Sequence, residues 1–266
     1  MTVVDSTARV APGAEIGTDV SIGPYCIIGA NAVIGDGCQL LSHVNIAGRT
    51  SVGARTIIYP FASLGTPPQS TGYKGEPTRL VVGADCDIRE GVTMNLGTAQ
   101  GGGVTEVGAH GFFMVNSHVG HDCRVGNHVV FANSATLGGH CIVGDHVFIG
   151  GLAAVHQFCR IGISAIIAGV AGIRSDVIPY SMALGAPGRL VGLNVVGMKR
   201  RGLNRDVIRT VHNAYRMLFF GEEVFARRLE QVEATYGQEP VVAEIIAFIR
   251  ADTNRSLCQP GSHHAD

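Results

Sequence analysis

Every sixth residue is aliphatic or aromatic across the first two-thirds of the chain. The series runs through Val4, Val10, Ile16, Ile22, Ile28, Ile34, Leu40, Ile46, Val52, Ile58 and Leu64, and resumes in phase at Val82, Ile88 and Met94. After a shift of one residue it continues from Val107 and Phe113 through Val119 and Val125 to Ile173. Glycine commonly follows the apolar residue, as at Gly23, Gly35, Gly126 and Gly144, and a small or β-branched residue stands four places after it, as at Ala14, Val20, Ala32 and Ala135. A period of six fits neither an amphipathic helix nor an alternating strand. It fits a solenoid in which each hexad is one short strand with a sharp corner. Glycine is expected where those corners need unusual backbone angles.

The repeats account for the 37 glycines in 266 residues, since there is no collagen-like triplet. A net charge of −1 excludes a strongly basic surface for the chain as a whole, so no nucleic-acid partner is expected. The N-terminal MTVVDSTARV lacks the pattern of a leader and no stretch reaches membrane-spanning length, which predicts a soluble cytoplasmic protein without stable membrane insertion. None of the seven cysteines forms a C-x-x-C. Six of them (Cys26, Cys38, Cys86, Cys123, Cys141 and Cys159) occupy the small-residue place of their hexads, so packing rather than metal or disulfide chemistry is expected.

Two segments leave the repeat, near 66–80 and near 97–105, and insertions in solenoids gather on a functional face. The glycine run Gly101–Gly103 is not a phosphate loop, because no Lys-Ser or Lys-Thr follows it. The repeat ends near Pro179 and a connector is expected over Tyr180–Met198, dividing the chain into a β domain, 1–190, and a helical domain, 191–266. Val207, Ile208, Val211, Tyr215, Leu218 and Phe219 have helical spacing with Asn204 as N-cap, and further helices are expected around Glu222–Tyr236 and Val241–Ala251. This part carries Lys199, Arg200, Arg201, Arg205, Arg209, Arg216, Arg227 and Arg228, which read either as a solvated face or as a docking patch for an acidic partner or phosphate. The open edges of a solenoid predict an oligomer.

If three hexads make a coil, residues eighteen apart stack. Three adjacent columns then read Gly120/Gly138/His156, His121/Gly139/Gln157 and Asp122/His140/Phe158, bringing His121, His140, His156 and Gln157 to one edge around two glycines. The missing side chains of Gly138 and Gly139 leave room for a ligand. Histidine beside a carboxylate, as in His121–Asp122, is the usual composition of a general base near neutral pH. Histidines also occupy corners for structural reasons: His110, His128 and His146 are eighteen apart and read as a surface ladder, and His43 and His212 read as structural.

The segments IGPYCIIG, YKGEPTRL, QGGGVTEVG, NSHVGHDCRVGN, GGLAAVHQFCRIG and GLNVVGMKRRG, in this order along the whole chain, resemble the UDP-N-acetylglucosamine O-acyltransferases that open lipid A biosynthesis. The resemblance implies a mainly β fold, a left-handed parallel β-helix of triangular section followed by a small α-helical domain, and a homotrimer with sites between subunits. It implies His121 as general base, Asp122 as its partner and the Gly139 N–H as oxyanion donor. Gln69, His118, His140, His156 and Gln157 would contact substrate, and Asn194, Arg200 and Arg201 the nucleotide. Gly169 would set acyl length, glycine there accompanying long donors. The implied partners are acyl carrier protein bearing an (R)-3-hydroxyacyl chain and a UDP-sugar acceptor. No cofactor is implied. No metal site is expected either: hexapeptide-fold carbonic anhydrases hold zinc through histidines five residues apart, and no pair here has that spacing. The chain departs from the family at Ser70 and Gly72, where an Asp and a Lys are usual, at Leu96 in place of Arg, and at Val196. Two other readings therefore stay open, an acyltransferase for a different UDP-sugar, for example a 3-amino sugar, and a catalytically silent trimer that binds nucleotide sugar.

Overall fold

The computed structural model describes residues 1–251, 253 and 255–261. Residues 1–193 wind into a left-handed parallel β-helix with three flat faces, here sheets A, B and C, of eleven, nine and eight strands. Most strands are two residues long and pair in parallel with the strand eighteen residues on, as Val119 pairs with Leu137 and Leu137 with Val155. The hexad aliphatic residue points inward: Ile28, Leu40, Ile46, Ile58, Leu64, Ile88, Phe131 and Ile149 are all essentially inaccessible. Each contributes about 1.5–3 kcal/mol by burial. The residue four places on closes the corner from within, which is why Cys26, Cys38, Cys123, Cys141 and Cys159 are buried and unbridged. Val4 stays half exposed because no coil lies beyond it.

The two interruptions differ in length in a way that explains the phase of the repeat. Leu64 pairs with Met94, thirty residues on, so the first insertion adds twelve residues, two whole hexads. Val82 pairs with Val107, twenty-five on, so the second adds seven and displaces the series by one.

The hexad glycines serve a different purpose from the one expected. The left-handed backbone angles at the corners belong mainly to other residues, among them Asp19, Tyr25, Asp122, His140 and Ser164, with φ of 54°, 58°, 60°, 61° and 55°. Glycine is needed one step after the strand because the next coil passes too close. A Cβ on Gly35 would lie 2.7 Å from the Ala54 nitrogen, and one on Gly126 would lie 2.7 Å from that of Asp145.

The stretch expected as a connector is structured. Ser181–Leu184 adds a parallel strand to sheet A, and Arg189–Leu193 turns back antiparallel beside it, ending that sheet. Among the described residues four helices follow: α1 (Val195–Arg200), α2 (Arg205–Phe220), α3 (Phe225–Tyr236) and α4 (Pro240–Arg250). Asn204 caps α2 by accepting from the N–H groups of Asp206 and Val207, and Pro240 opens α4. The apolar stripes of α2, α3 and α4 meet through Val211, Leu218, Leu229, Val232, Val242 and Ile245. The chain then returns to the solenoid, where Leu257 bridges to Asp176 and Pro260 to Leu190. Among the described residues no helix is long and apolar enough to cross a membrane.

Candidate active site

Both insertions leave the prism at one corner. Each follows a strand of sheet B and precedes one of sheet C, and the turn 120–123 carrying His121 lies at the same corner. At that corner lies a cavity of ≈ 470 Å³ lined by Gln69 of the first insertion and by Asn95, His118, Gly120, His121, Gly138, Gly139, His156 and Gln157, among others. Six residues expected in the site thus line one cavity, with Asp122 and His140 directly behind it.

Asp122 is the anchor. Its side chain is only 1% exposed, and its left-handed backbone turns the carboxylate under the second insertion. Thr98 donates twice, from its N–H to Oδ1 and from its hydroxyl to Oδ2, each at 2.7 Å. The N–H of Asp122 donates to Thr105 Oγ1 at 2.8 Å. A Cβ on Gly101 would fall 2.0 Å from the carboxyl carbon, so only glycine lets the loop close over the acid. Thr98, Gly101 and Thr105 were not legible as site residues, because an insertion has no period to place them.

His121 Nδ1 lies 2.7 Å from Asp122 Oδ2. A carboxylate can only accept here, so Nδ1 carries a proton, and in the neutral ring the lone pair is at Nε2. The ring rests against Gly139, whose N–H makes no hydrogen bond among the described residues, although its neighbours do: Gly138 donates to Val155 O and His140 to His121 O. His140 meets His121 edge-on, with ring centres 5.0 Å apart and planes at 88°, and stacks on Phe158 at 4.5 Å. Burial pushes its imidazole below the ordinary range, opposed by the Asp122 charge. His118, one coil below Thr93, shares a 2.8 Å hydrogen bond with Thr93 Oγ1, and burial likewise pushes it down.

The ligand atoms of His121, Asp122 and His140 lie within 4.8 Å of one another, a grouping that a metal could use. The bonding here is of another kind, since both Asp122 oxygens already accept hydrogen bonds from Thr98 and His121.

The remaining expected residues stand elsewhere on the chain. Gly169 is at the corner between sheets A and B. Asn194 caps α1, accepting from Gly197 N–H and donating to Ser164 O, and Arg201 donates to Ser164 Oγ at 2.6 Å; both sit against the corner between sheets C and A. Arg200 is exposed in the last turn of α1. The ladder of His110, His128 and His146 is stacked face to face, with ring centres 4.6 and 4.8 Å apart. His43 lies between Tyr25 and Phe61, and His212 lines a separate cavity beside Arg216 and Phe220.

Comparison with known proteins agrees with this architecture. Residues 176–258 match the family "Udp N-acetylglucosamine O-acyltransferase; Domain 2", and residues 1–35 match the bacterial transferase hexapeptide family. The chain is 60% identical to the acyl-(acyl-carrier-protein):UDP-N-acetylglucosamine O-acyltransferase of Azorhizobium caulinodans, over 97% of this chain and 95% of that one. It is 52% identical to the enzyme of the same name from Brucella ovis, over 97% and 93%. Among solved structures, the UDP-N-acetylglucosamine O-acyltransferase of Moraxella catarrhalis superposes with a TM-score of 0.93 at 38% identity, covering 96% of this chain and 99% of that one. The UDP-N-acetylglucosamine acyltransferase of Francisella novicida gives 0.94 at 32%, covering 98% and 95%. With relatives this similar aligned from end to end, and with the hexad solenoid and terminal helices in common, the chain belongs to the UDP-N-acetylglucosamine O-acyltransferase family.

Proposed function

We propose that the chain moves an (R)-3-hydroxyacyl group from acyl carrier protein to the 3-hydroxyl of UDP-N-acetylglucosamine, the first step of lipid A biosynthesis. The observation that carries the mechanism is the Thr98–Asp122–His121 chain ending at the cavity, with the unengaged Gly139 N–H beside it.

With Nδ1–H held by Asp122, Nε2 of His121 removes the proton of the sugar hydroxyl as that oxygen attacks the thioester carbon. The carbonyl oxygen gains charge, and the Gly139 N–H donates to it, a contribution of about 3–4 kcal/mol for one well-placed donor. Collapse breaks the carbon–sulfur bond, and the imidazolium returns its proton to the departing thiolate. His118, neutral because burial disfavours its charge, and Gln69 and Gln157 supply neutral polar contacts for a hydroxyl-rich acceptor.

We further propose a homotrimer in the cytoplasm, with Asn194 and Arg201 reaching the nucleotide across a subunit boundary. They stand at a different corner from His121, so nucleotide contacts from these residues would come from a neighbouring copy. α2 carries Arg205, Arg209 and Arg216 against one acid, Asp206, an excess of positive charge that suits an acidic carrier protein.

One observation favours a second acceptor. Ser70, Gly72 and Leu96 are uncharged where the family resemblance implies Asp, Lys and Arg, and Leu96 is buried against Gly48. A UDP-sugar with a 3-amine could replace the 3-hydroxyl. Assays of carrier-protein thioesters against both acceptors decide between them. In either case His121→Ala should lose about 10²- to 10⁴-fold in kcat with an unchanged thermal midpoint. Near-normal turnover in that variant would remove His121 as the base, and a parent chain inactive on every acceptor would leave the silent trimer.

A further inference from the structure

The segment after α4 returns to the histidine edge and is held there by a buried acid that the mechanism does not use. Asp176 is fully inaccessible. Its N–H donates to Ser256 O at 2.9 Å, its carbonyl accepts from Cys258 N–H at 2.8 Å, and its Oδ2 accepts from Thr253 Oγ1 at 2.9 Å. The same carboxylate accepts from the N–H and Nε of Arg160, at 2.8 and 2.7 Å. Two residues beyond Thr253, and fixed by these bonds, is Arg255.

Nη2 of Arg255 lies 2.9 Å from His156 Nδ1 and 2.9 Å from Gln157 O. A guanidinium nitrogen only donates, so Nδ1 of His156 accepts, and in the neutral ring the proton resides on Nε2. The 3.1 Å approach of His156 Nδ1 to Gln157 O then joins two acceptors that share one donor group. His121 and His156 are thereby held in opposite states. Asp122 makes His121 a base at Nε2, and Arg255 makes His156 a donor at Nε2, with both rings lining one cavity.

We propose that Arg255 is a positioning residue. It fixes His156 as an Nε2–H donor to the acyl thioester or to the oxyanion formed from it, and it pins the backbone at Gln157, so the C-terminal segment is part of the reacting edge. This deepens the acyltransferase reading and rests on it for the identity of the ligand, but the tautomer itself does not depend on activity.

Nitrogen-15 NMR of the imidazole groups, with His156 assigned by loss of its signals in His156→Gln, reads the tautomer directly in the parent protein. The Nε2–H form is expected; an Nδ1–H form overturns the proposal whether or not the chain transfers acyl groups. Arg255→Met should yield a mixed tautomer and reduce kcat about tenfold, with KM for the UDP-sugar and the thermal midpoint little changed. Arg255→Lys, which keeps a donor, should recover part of the loss. Unchanged kcat in a folded Arg255→Met rejects the role, as does a loss in which KM alone rises. Should Arg255→Met fail to fold, the parent's tautomer and the kcat of Arg255→Lys decide.

Discussion

The imidazole of His121 fills the space that a side chain at Gly139 would need: a Cβ there would stand 2.5 Å from Cε1 and 2.7 Å from Nε2. The proposed base and the proposed oxyanion donor are thus in contact through a missing side chain. Gly139→Ala should rotate the ring away from Asp122 and cost about 10²- to 10³-fold in kcat, the size of a lost oxyanion contact. Because the change lies at the rim, the thermal midpoint should move little. Turnover within about twofold of the parent would mean that His121 has room to move without consequence.

Thr98 makes two of the three hydrogen bonds to the Asp122 carboxylate. Thr98→Val keeps the shape and the N–H but removes the hydroxyl, so it should lower kcat about tenfold, the worth of one hydrogen bond to a charged group. Thr98→Ser should restore it. If serine behaves like valine, the methyl group is what matters, and the loop is held by packing.

His118 makes stability depend on pH. Its folded value is depressed below the ordinary 6.5 by burial. Below 6.5 the unfolded chain therefore binds a proton that the folded chain refuses. The stabilisation is complete above 6.5 and is lost as pH falls toward the folded value, at up to about 1.4 kcal/mol per pH unit. His140 is depressed in the same direction and adds to the slope. The thermal midpoint should fall between pH 7 and 5, and less steeply in His118→Asn. An identical slope in that variant would assign the acid sensitivity to other groups.

Gly169 lies against Gly151, whose carbonyl oxygen a Cβ would approach to 3.3 Å, with exposed Leu152 and Val170 beside it. An acyl chain lying there would meet apolar side chains and a bare floor. The parent should prefer long donors, on the order of fourteen carbons by that volume argument. Gly169→Met should shift preference to shorter ones, by about fourfold per excluded methylene. Competition between carrier-protein thioesters of different length measures it, and an unchanged ratio would leave Gly169 as a corner residue only.

The solenoid could be read from the sequence because its period is covalent: six residues return the chain to the core, and eighteen return it to the same corner, so the histidine columns followed by counting. Counting failed where the chain stops counting. Thr98 and Thr105 reach Asp122 from across an insertion, and Arg255 reaches His156 over a separation of ninety-nine residues. The hairpin over 181–193 has too little alternation to stand out beside the hexads. The glycines were visible but their reason was not, since a sequence does not distinguish a positive φ from a close neighbouring backbone.

Both insertions enter and leave the prism at the corner between sheets B and C, and the strands that bracket them still pair in parallel with the coils on either side, with one irregularity between Leu64 and Thr66 where the first insertion begins. Under the proposed function, acceptor recognition and bond chemistry are therefore mechanically separable. The first excursion can change sequence, or grow and shrink, without moving His121 or any core residue, whereas a change within a hexad propagates to every coil above it. New substrate preferences in such a scaffold can be acquired by exchanging a cassette at one corner while the reacting edge is inherited unaltered.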